Sequence, residues 1–134
     1  MKLQWEDSYS VGVKVIDDQH KKMFETINKL IDALATVPTK AQVDEIIADL
    51  ILYKKFHFET EEKYFGEFNY ENREEHKLKH QEFNVKLDEL VLKNGNDSIT
   101  LAFELVNFLE DWLINHLMTE DQKYVECFAK NGLK

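Results

Sequence analysis

All five histidines of this 134-residue chain fall where the apolar face of a helix would point, and most have a partner at a regular spacing. The spaced pairs are His57–Glu61, His76–His80 and His116–Asp121, and His20 stands alone near the start of the first helical pattern. Residues four apart lie one turn apart on one helical face, so the first two pairs can each direct two ligands into the same space. Histidine is costly to bury unless it is hydrogen-bonded or binds a metal. The pattern therefore predicts a binuclear metal site inside a helix bundle.

The pair His116–Asp121 does not fit a regular helix. Five residues advance an ideal helix by about 500°, which leaves the two side chains roughly 140° apart. If both bind metal, the helix must be distorted between them, and a π-type bulge is one such distortion. Glu120, at the i+4 position, is better placed by geometry alone. Spacing leaves Glu120 and Asp121 both open as the carboxylate ligand.

Four segments with apolar residues at helical spacing are separated by turn signals and must position these side chains. They run from about Asp17 to Thr36, from Lys40 to Phe65, from Asn72 to Leu92, and from Ser98, bent, to Phe128. Pro38 ends the first segment because it pushes Val37 out of the α region. Thr39 can cap the second segment and Gly66 is expected to end it. The residues of 94–98 form a turn before the fourth.

Because the connections are short, neighbouring helices should be antiparallel. The predicted fold class is all-α, an up-down-up-down antiparallel four-helix bundle with an extended N-terminal arm. We expect one domain over residues 1–134, with the arm at 1–16 and the bundle at 17–128. The arm residues alternate between apolar and polar but have no partner strand.

Composition excludes several classes of function. The formal net charge of −9 makes binding to nucleic acid or to an anionic membrane improbable. The single Cys127 has no partner for an internal disulfide, which fits a reducing compartment. No export signal is visible at the start, and the longest apolar run, around Asp49, is too short to span a bilayer. These observations predict a soluble, cytoplasmic protein.

With these positions in place, the chain resembles the hemerythrin family, in particular its bacterial single-domain members. The resemblance covers nearly the whole chain and all seven candidate ligand positions in order. The N-terminal run Trp5…Tyr9-Ser-Val-Gly-Val…Ile16-Asp-Asp-Gln-His20 is also similar to that family. Because the family uses the carboxylate five residues after its last histidine, the resemblance favours Asp121 over Glu120.

The resemblance implies a non-haem di-iron centre with an oxo or hydroxo bridge. By resemblance, one iron is bound by His76, His80 and His116, the other by His20 and His57, and Glu61 and Asp121 bridge them. Two octahedral irons have twelve positions, of which these ligands and the bridge fill eleven. The open position, on the iron with two histidines, is where dioxygen would bind.

By position in the family, the apolar lining of the oxygen pocket is Met23, Phe58, Trp112 and Leu113. Simple core packing explains these four residues about equally well. Tyr124 and Tyr9 are candidates for contact with the ligands, although packing is the preferred interpretation of both.

The resemblance therefore implies reversible dioxygen binding for storage, delivery or sensing, in a protein that is not an enzyme. The alternative is a di-iron redox enzyme acting on dioxygen, peroxide or nitric oxide. Carboxylate-rich oxidases carry Glu-x-x-His pairs, which this chain lacks, since the residue three before His76 is Arg73. A phosphotransfer bundle with one exposed histidine would leave the other four unexplained. Besides dioxygen, the expected partner is a separate oxygen-consuming enzyme or signalling protein, and the chain is expected to be a monomer or small homo-oligomer.

Overall fold

Four long helices joined by short connections make up most of the molecule. The computed structural model describes residues 2–94 and 96–134. The long helices are α1 (Lys14–Leu34), α2 (Lys40–Glu67), α3 (Arg73–Asn94) and α4 (Ser98–Met118), and a short α5 (Val125–Lys130) follows. Two 3₁₀ turns lie at Asp7–Tyr9 and Asp121–Tyr124. Helices α1 and α3 each contact both α2 and α4, so the predicted four-helix bundle is confirmed.

The connection between α1 and α2 contains the predicted helix end before Pro38 and the predicted cap at Thr39. Helix α1 ends at Leu34, and Val37 before the proline has a positive φ of 51°, well outside the right-handed α region. Thr39 then caps α2, since its hydroxyl accepts from the backbone N–H of Gln42 at 3.1 Å. The Gln42 side chain accepts from the backbone N–H of Thr39 at 2.9 Å, which completes a capping box.

The predicted end of α2 at Gly66 is wrong. The helix continues through Gly66 to Glu67, and the chain reverses at Asn69, which has a φ of 52°. Asparagine tolerates the left-handed region better than most residues, so glycine was not needed for this turn. In the later turn at 94–98, Asp97 caps α4 by accepting from the Thr100 N–H at 3.0 Å. Gly95 lies outside the described residues.

The apolar interior is divided into two clusters. The main cluster fills the bundle between the four long helices. A second cluster closes one end, and its buried members are Val11, Val13, Ile16, Phe65, Tyr70, Tyr124 and Phe128. On α2, Phe58 belongs to the main cluster and Phe65 to the second. Glu61 lies between them in sequence, so the candidate site falls at the boundary of the two clusters.

The N-terminal arm packs along α1. Its backbone at Leu3 exchanges two hydrogen bonds with the side chain of Asn28, at 2.7 and 2.9 Å. Trp5 packs edge-on against Phe24, with ring centroids 5.6 Å apart. Helix α1 begins at Lys14, so the non-helical part of the arm is shorter than expected, and Met1 lies outside the described residues. Across residues 2–94 and 96–134, no helix combines the length and apolarity needed to cross a bilayer.

The capping box of α2 gives a stability prediction. Replacing Thr39 by alanine removes the acceptor for the Gln42 N–H, so the free energy of unfolding should fall by about 1 kcal/mol. Thr39→Ser keeps the hydroxyl and is the matched control. Chemical denaturation followed by circular dichroism measures both, and equal losses in the two variants would contradict the assigned cap.

Candidate metal centre

The candidate ligands meet because the helices run in alternating directions. His20 lies near the start of α1, and His76 and His80 near the start of α3. His57 lies toward the end of α2 and His116 toward the end of α4. In an antiparallel bundle these four helix ends occupy the same end of the molecule. All seven predicted ligands are buried, with exposed fractions of 5% or less.

A break after α4 brings the seventh side chain into the site. Helix α4 ends at Met118, and Asp121 begins a 3₁₀ turn that places its Oδ1 3.0 Å from Nε2 of His116. The predicted distortion is confirmed, but its form is a helix end rather than a π-bulge. The side chain of Gln122 donates to the freed Leu117 carbonyl at 3.2 Å, which satisfies the broken end. The alternative carboxylate, Glu120, belongs to neither group of candidate metal ligands described below and pairs with Lys123 at 3.2 Å.

Glu61 contacts one histidine of its own helix and two histidines of α3. Its Oε1 lies 3.3 Å from Nε2 of His57, 3.5 Å from Nε2 of His76 and 3.0 Å from Nε2 of His80. Its Oε2 is buried without a hydrogen-bond partner among the described residues. This carboxylate therefore stands at the junction of α2 and α3.

Asp121 makes the corresponding contacts from the other side. Its Oδ2 lies 3.1 Å from Nε2 of His20, and its Oδ1 lies 3.1 Å from Nε2 of His76. Two pairs of ring nitrogens also approach each other: Nε2 of His20 and His57 are 3.0 Å apart, as are Nε2 of His76 and His116. All five histidines thus turn Nε2 toward one buried space.

These atoms form two groups with metal-binding geometry. One group is Glu61, His76, His80 and His116, and the other is His20, His57, Glu61 and Asp121. Within each group the candidate ligand atoms lie within 4.8 Å of one another. Glu61 belongs to both groups, so one carboxylate can serve two adjacent metal positions. The histidines divide in the same way as the resemblance implied.

The charges in this space also fit metal ions. Burial alone would raise the pKa of the Glu61 and Asp121 carboxyls, but the surrounding histidines outweigh it and hold both pKa values below their usual range. Two buried anions require nearby positive charge. Among the residues that the structure describes, neither oxygen of Asp121 has a hydrogen-bond donor of good geometry. Metal cations would supply that charge and use the orphaned oxygens, so the donor set fits a metal pair.

The histidines are not equivalent toward protons. Burial, together with neighbouring His57, lowers the pKa of His20, which favours the neutral ring that a metal requires. Burial also opposes charge on His76, but the adjacent Asp121 and Glu61 carboxylates prevail and raise its pKa to about 10. In the metal-free chain a proton on His76 therefore offsets part of the buried negative charge, and metal binding would displace it.

Two residues that the sequence reasoning missed fix the orientation of two candidate ligand rings. Nδ1–H of His57 donates to Oε1 of Gln19 at 2.9 Å, and Nδ1–H of His80 donates to Oε2 of Glu62 at 2.8 Å. In a neutral ring, each bond places the single proton on Nδ1 and so leaves the inward Nε2 able to bind a metal. The sequence offered one signal for both residues, which is that each is adjacent to a predicted ligand. Gln19 precedes His20, and Glu62 follows Glu61.

Two of the four predicted lining residues lie directly on ligand rings. Phe58 stacks on His80 with centroids 3.8 Å apart and planes 7° apart. Trp112 stacks on His116 at 4.2 Å and 14°. Both rings therefore cover the centre from the side of the main cluster.

The other predicted lining residues, Met23 and Leu113, are buried in the main cluster, and their role in a pocket stays a prediction. Tyr124 is fully buried, with its ring centroid 5.8 Å from that of His76. Tyr9 instead packs on Phe24, as expected for a core residue.

Comparisons with known proteins agree with this geometry. The family model described as Hemerythrin HHE cation binding domain matches residues 11–128. A bacteriohemerythrin of Clostridium acetobutylicum is 30% identical over 126 residues, covering 91% of this chain and 98% of the relative. A bacteriohemerythrin of Pseudomonas aeruginosa is 34% identical over 127 residues, covering 93% and 80%. A hemerythrin-like protein of Naegleria gruberi is 32% identical over 120 residues, covering 90% and 88%.

Among solved structures, a wild-type hemerythrin matches with a TM-score of 0.73 at 27% identity, covering 95% of this chain and 98% of that one. The family model spans the arm from Val11 onward, the four long helices and α5 as far as Phe128. It therefore includes every helix that contributes a side chain to the candidate centre. The chain belongs to the hemerythrin family.

Proposed function

We propose that this chain binds dioxygen reversibly at a non-haem di-iron centre and serves oxygen storage, delivery or sensing. The observation that carries the proposal is the convergence of five histidine Nε2 atoms and two carboxylates in one buried space. Histidine-rich ligation with few oxygen donors suits a divalent transition metal such as iron. The similarity to bacteriohemerythrins and to a solved hemerythrin supports iron as that metal.

For the histidines and Glu61, the proposed ligand assignment follows the two groups of side chains. Asp121 belongs to one group, and its contacts with His76 and His116 support a place between the two ions. One iron would be held by His76, His80 and His116, the other by His20 and His57, and both would share Glu61 and Asp121. The contacts of Glu61 with His57 and His80 support its place between the two ions. When bound, the iron pair supplies the electrons and the open coordination position that dioxygen binding requires.

The protein's part in reversibility is to keep water and reactive protons away. The rings of Phe58 and Trp112 cover two of the histidines and carry no titratable group. The main apolar cluster, which includes Met23 and Leu113, lies behind them. Dry apolar walls favour release of the bound gas over its reduction. We therefore infer a binding protein rather than an enzyme.

The setting in which this chain works is also part of the proposal. A single free Cys127 supports a place in a reducing compartment such as the cytoplasm. We expect a monomer or a small homo-oligomer that exchanges dioxygen with a separate oxygen-consuming enzyme or signalling partner.

Visible spectroscopy of the iron-loaded protein tests the function. The protein is reduced without oxygen, exposed to air and then purged with inert gas. We expect a charge-transfer band that appears in air and fades on purging. Prompt and irreversible conversion to a diferric spectrum would favour the redox-enzyme alternative. A chain that takes up no iron would refute the di-iron proposal.

Substitution of one ligand tests the assignment. In His57→Ala the iron content should fall from two ions per chain toward one, since no other histidine is placed to replace the lost nitrogen. Phe56→Ala, at the neighbouring exposed position on α2, is the control and should keep its iron. Elemental analysis of both purified proteins measures the difference. Full occupancy in His57→Ala would show that this residue is not a ligand.

A polar substitution tests the apolar lining. Leu113→Gln should speed irreversible oxidation several-fold because it lets water approach the centre. Leu113→Met keeps an apolar side chain of similar volume and should oxidise at the original rate. The decay of the oxygenated spectrum gives both rates, and indistinguishable rates would mean that Leu113 does not guard the site.

A further inference from the structure

The outer nitrogens of two site histidines are bound in the same way but to chemically different acceptors. His57, in the group with two histidines, donates from Nδ1 to the neutral amide oxygen of Gln19 at 2.9 Å. His80, in the group with three histidines, donates from Nδ1 to the carboxylate of Glu62 at 2.8 Å. The two halves of the centre therefore differ by one negative charge, which lies on the acceptor of the His80 Nδ1–H.

No second bond of this kind offsets the difference. Nδ1 of His20 and Nδ1 of His76 are buried without a hydrogen-bond partner in the part of the chain that the structure describes. Within residues 2–94 and 96–134, Glu62 is the one carboxylate that accepts from the outer nitrogen of a site histidine. The asymmetry thus rests on Glu62.

The orientation of the neutral acceptor is fixed. The amide nitrogen of Gln19 donates to Oγ1 of Thr60 at 3.0 Å, and that hydroxyl donates to the Phe56 carbonyl at 2.8 Å. The amide oxygen of Gln19 must therefore be the atom that faces His57. These hydrogen bonds therefore fix an amide oxygen as the acceptor for His57, whereas the acceptor for His80 is a carboxylate.

Solvent reaches the charged acceptor. The side chain of Glu62 is 36% exposed, whereas that of His80 is 2% exposed. Glu62 lines a crevice of ≈ 320 Å³ between α2 and α3 that also reaches Phe58 and His80. Contact with water lets Glu62 carry its charge without the penalty that a third fully buried carboxylate would incur.

We infer that Glu62 is a positioning residue that makes His80 a stronger electron donor than His57, and so gives the two metal positions unequal preference for the ferric state. A carboxylate that accepts from Nδ1–H raises the electron density at Nε2 and holds the ring in place. A stronger nitrogen donor and a nearby negative charge both stabilise the more highly charged ion. The inference rests on the proposed di-iron function and adds the residue that differentiates its two halves.

Four variants separate charge from hydrogen bonding. Glu62→Gln keeps an acceptor but removes the charge, and Glu62→Ala removes both. Gln19→Glu places a charge on the His57 side. Glu59→Gln removes an exposed carboxylate that lines the same crevice, without a bond to a site histidine, and is the matched control.

The first measurement is metal binding by the metal-free protein, followed with Co²⁺ as a spectroscopic probe. In Glu62→Ala we expect roughly 10- to 100-fold weaker binding of one of two Co²⁺ ions, and a smaller loss in Glu62→Gln. Glu59→Gln should bind both ions as the unaltered chain does. This readout needs neither iron nor dioxygen.

The second measurement is the midpoint potential of the iron-loaded protein without oxygen. Loss of the charge in Glu62→Gln should raise the potential, and a tenfold loss of preference for the ferric state corresponds to about 59 mV for one electron. Gln19→Glu should lower it. If Glu62 only packed against its neighbours, the midpoint potential would not rise in Glu62→Gln and fall in Gln19→Glu.

The outcomes distinguish this inference from the proposed function. If the unaltered chain binds two Co²⁺ ions and Glu62→Gln and Glu62→Ala match Glu59→Gln in affinity and potential, the inference is wrong and the di-iron proposal stands. If the unaltered chain binds no metal, both are wrong.

Discussion

The structure depends on the balance of charge in one buried space. Glu61 and Asp121 bring two negative charges into an interior where an unpaired charge is strongly unfavourable. Five histidine rings surround them, and each helix of the bundle supplies at least one of these rings. The bundle is therefore built around ionic groups at one end and around an apolar cluster along the rest of its length. Packing alone would not assemble the first of these regions.

The two kinds of interior support each other. Phe58 and Trp112 belong to the apolar region yet stack on His80 and His116, so the same side chains fill the core and hold ligand rings. On the side of the second cluster, the ring of Phe65 packs against that of His76, with ring centroids 4.8 Å apart. Aromatic rings therefore enclose the candidate centre on both sides and keep its side chains buried.

Most of the fold and the meeting of the candidate ligands could be predicted because both are repetitive or locally encoded. Histidine and glutamate at i, i+4 on an apolar face are visible in the sequence, as is the capping role of Thr39. The sequence could predict that the helix is distorted after His116, but not that it ends at Met118. The end depends on hydrogen bonds from Gln122 to Leu117 and to Ser10, which is distant in the sequence. The roles of Gln19 and Glu62 lie beyond sequence patterns, since polar residues at the margin of a buried face usually point to solvent.

The contact between His20 and Asp121 joins two segments that lie far apart along the chain. A metal pair bound there would act as a cross-link that closes long loops and lowers the entropy of the unfolded chain. During synthesis, this cross-link could form only after nearly the whole polypeptide had emerged from the ribosome. Iron supply would then govern the lifetime of the protein as well as its activity, because the metal-free fraction unfolds and is degraded more readily.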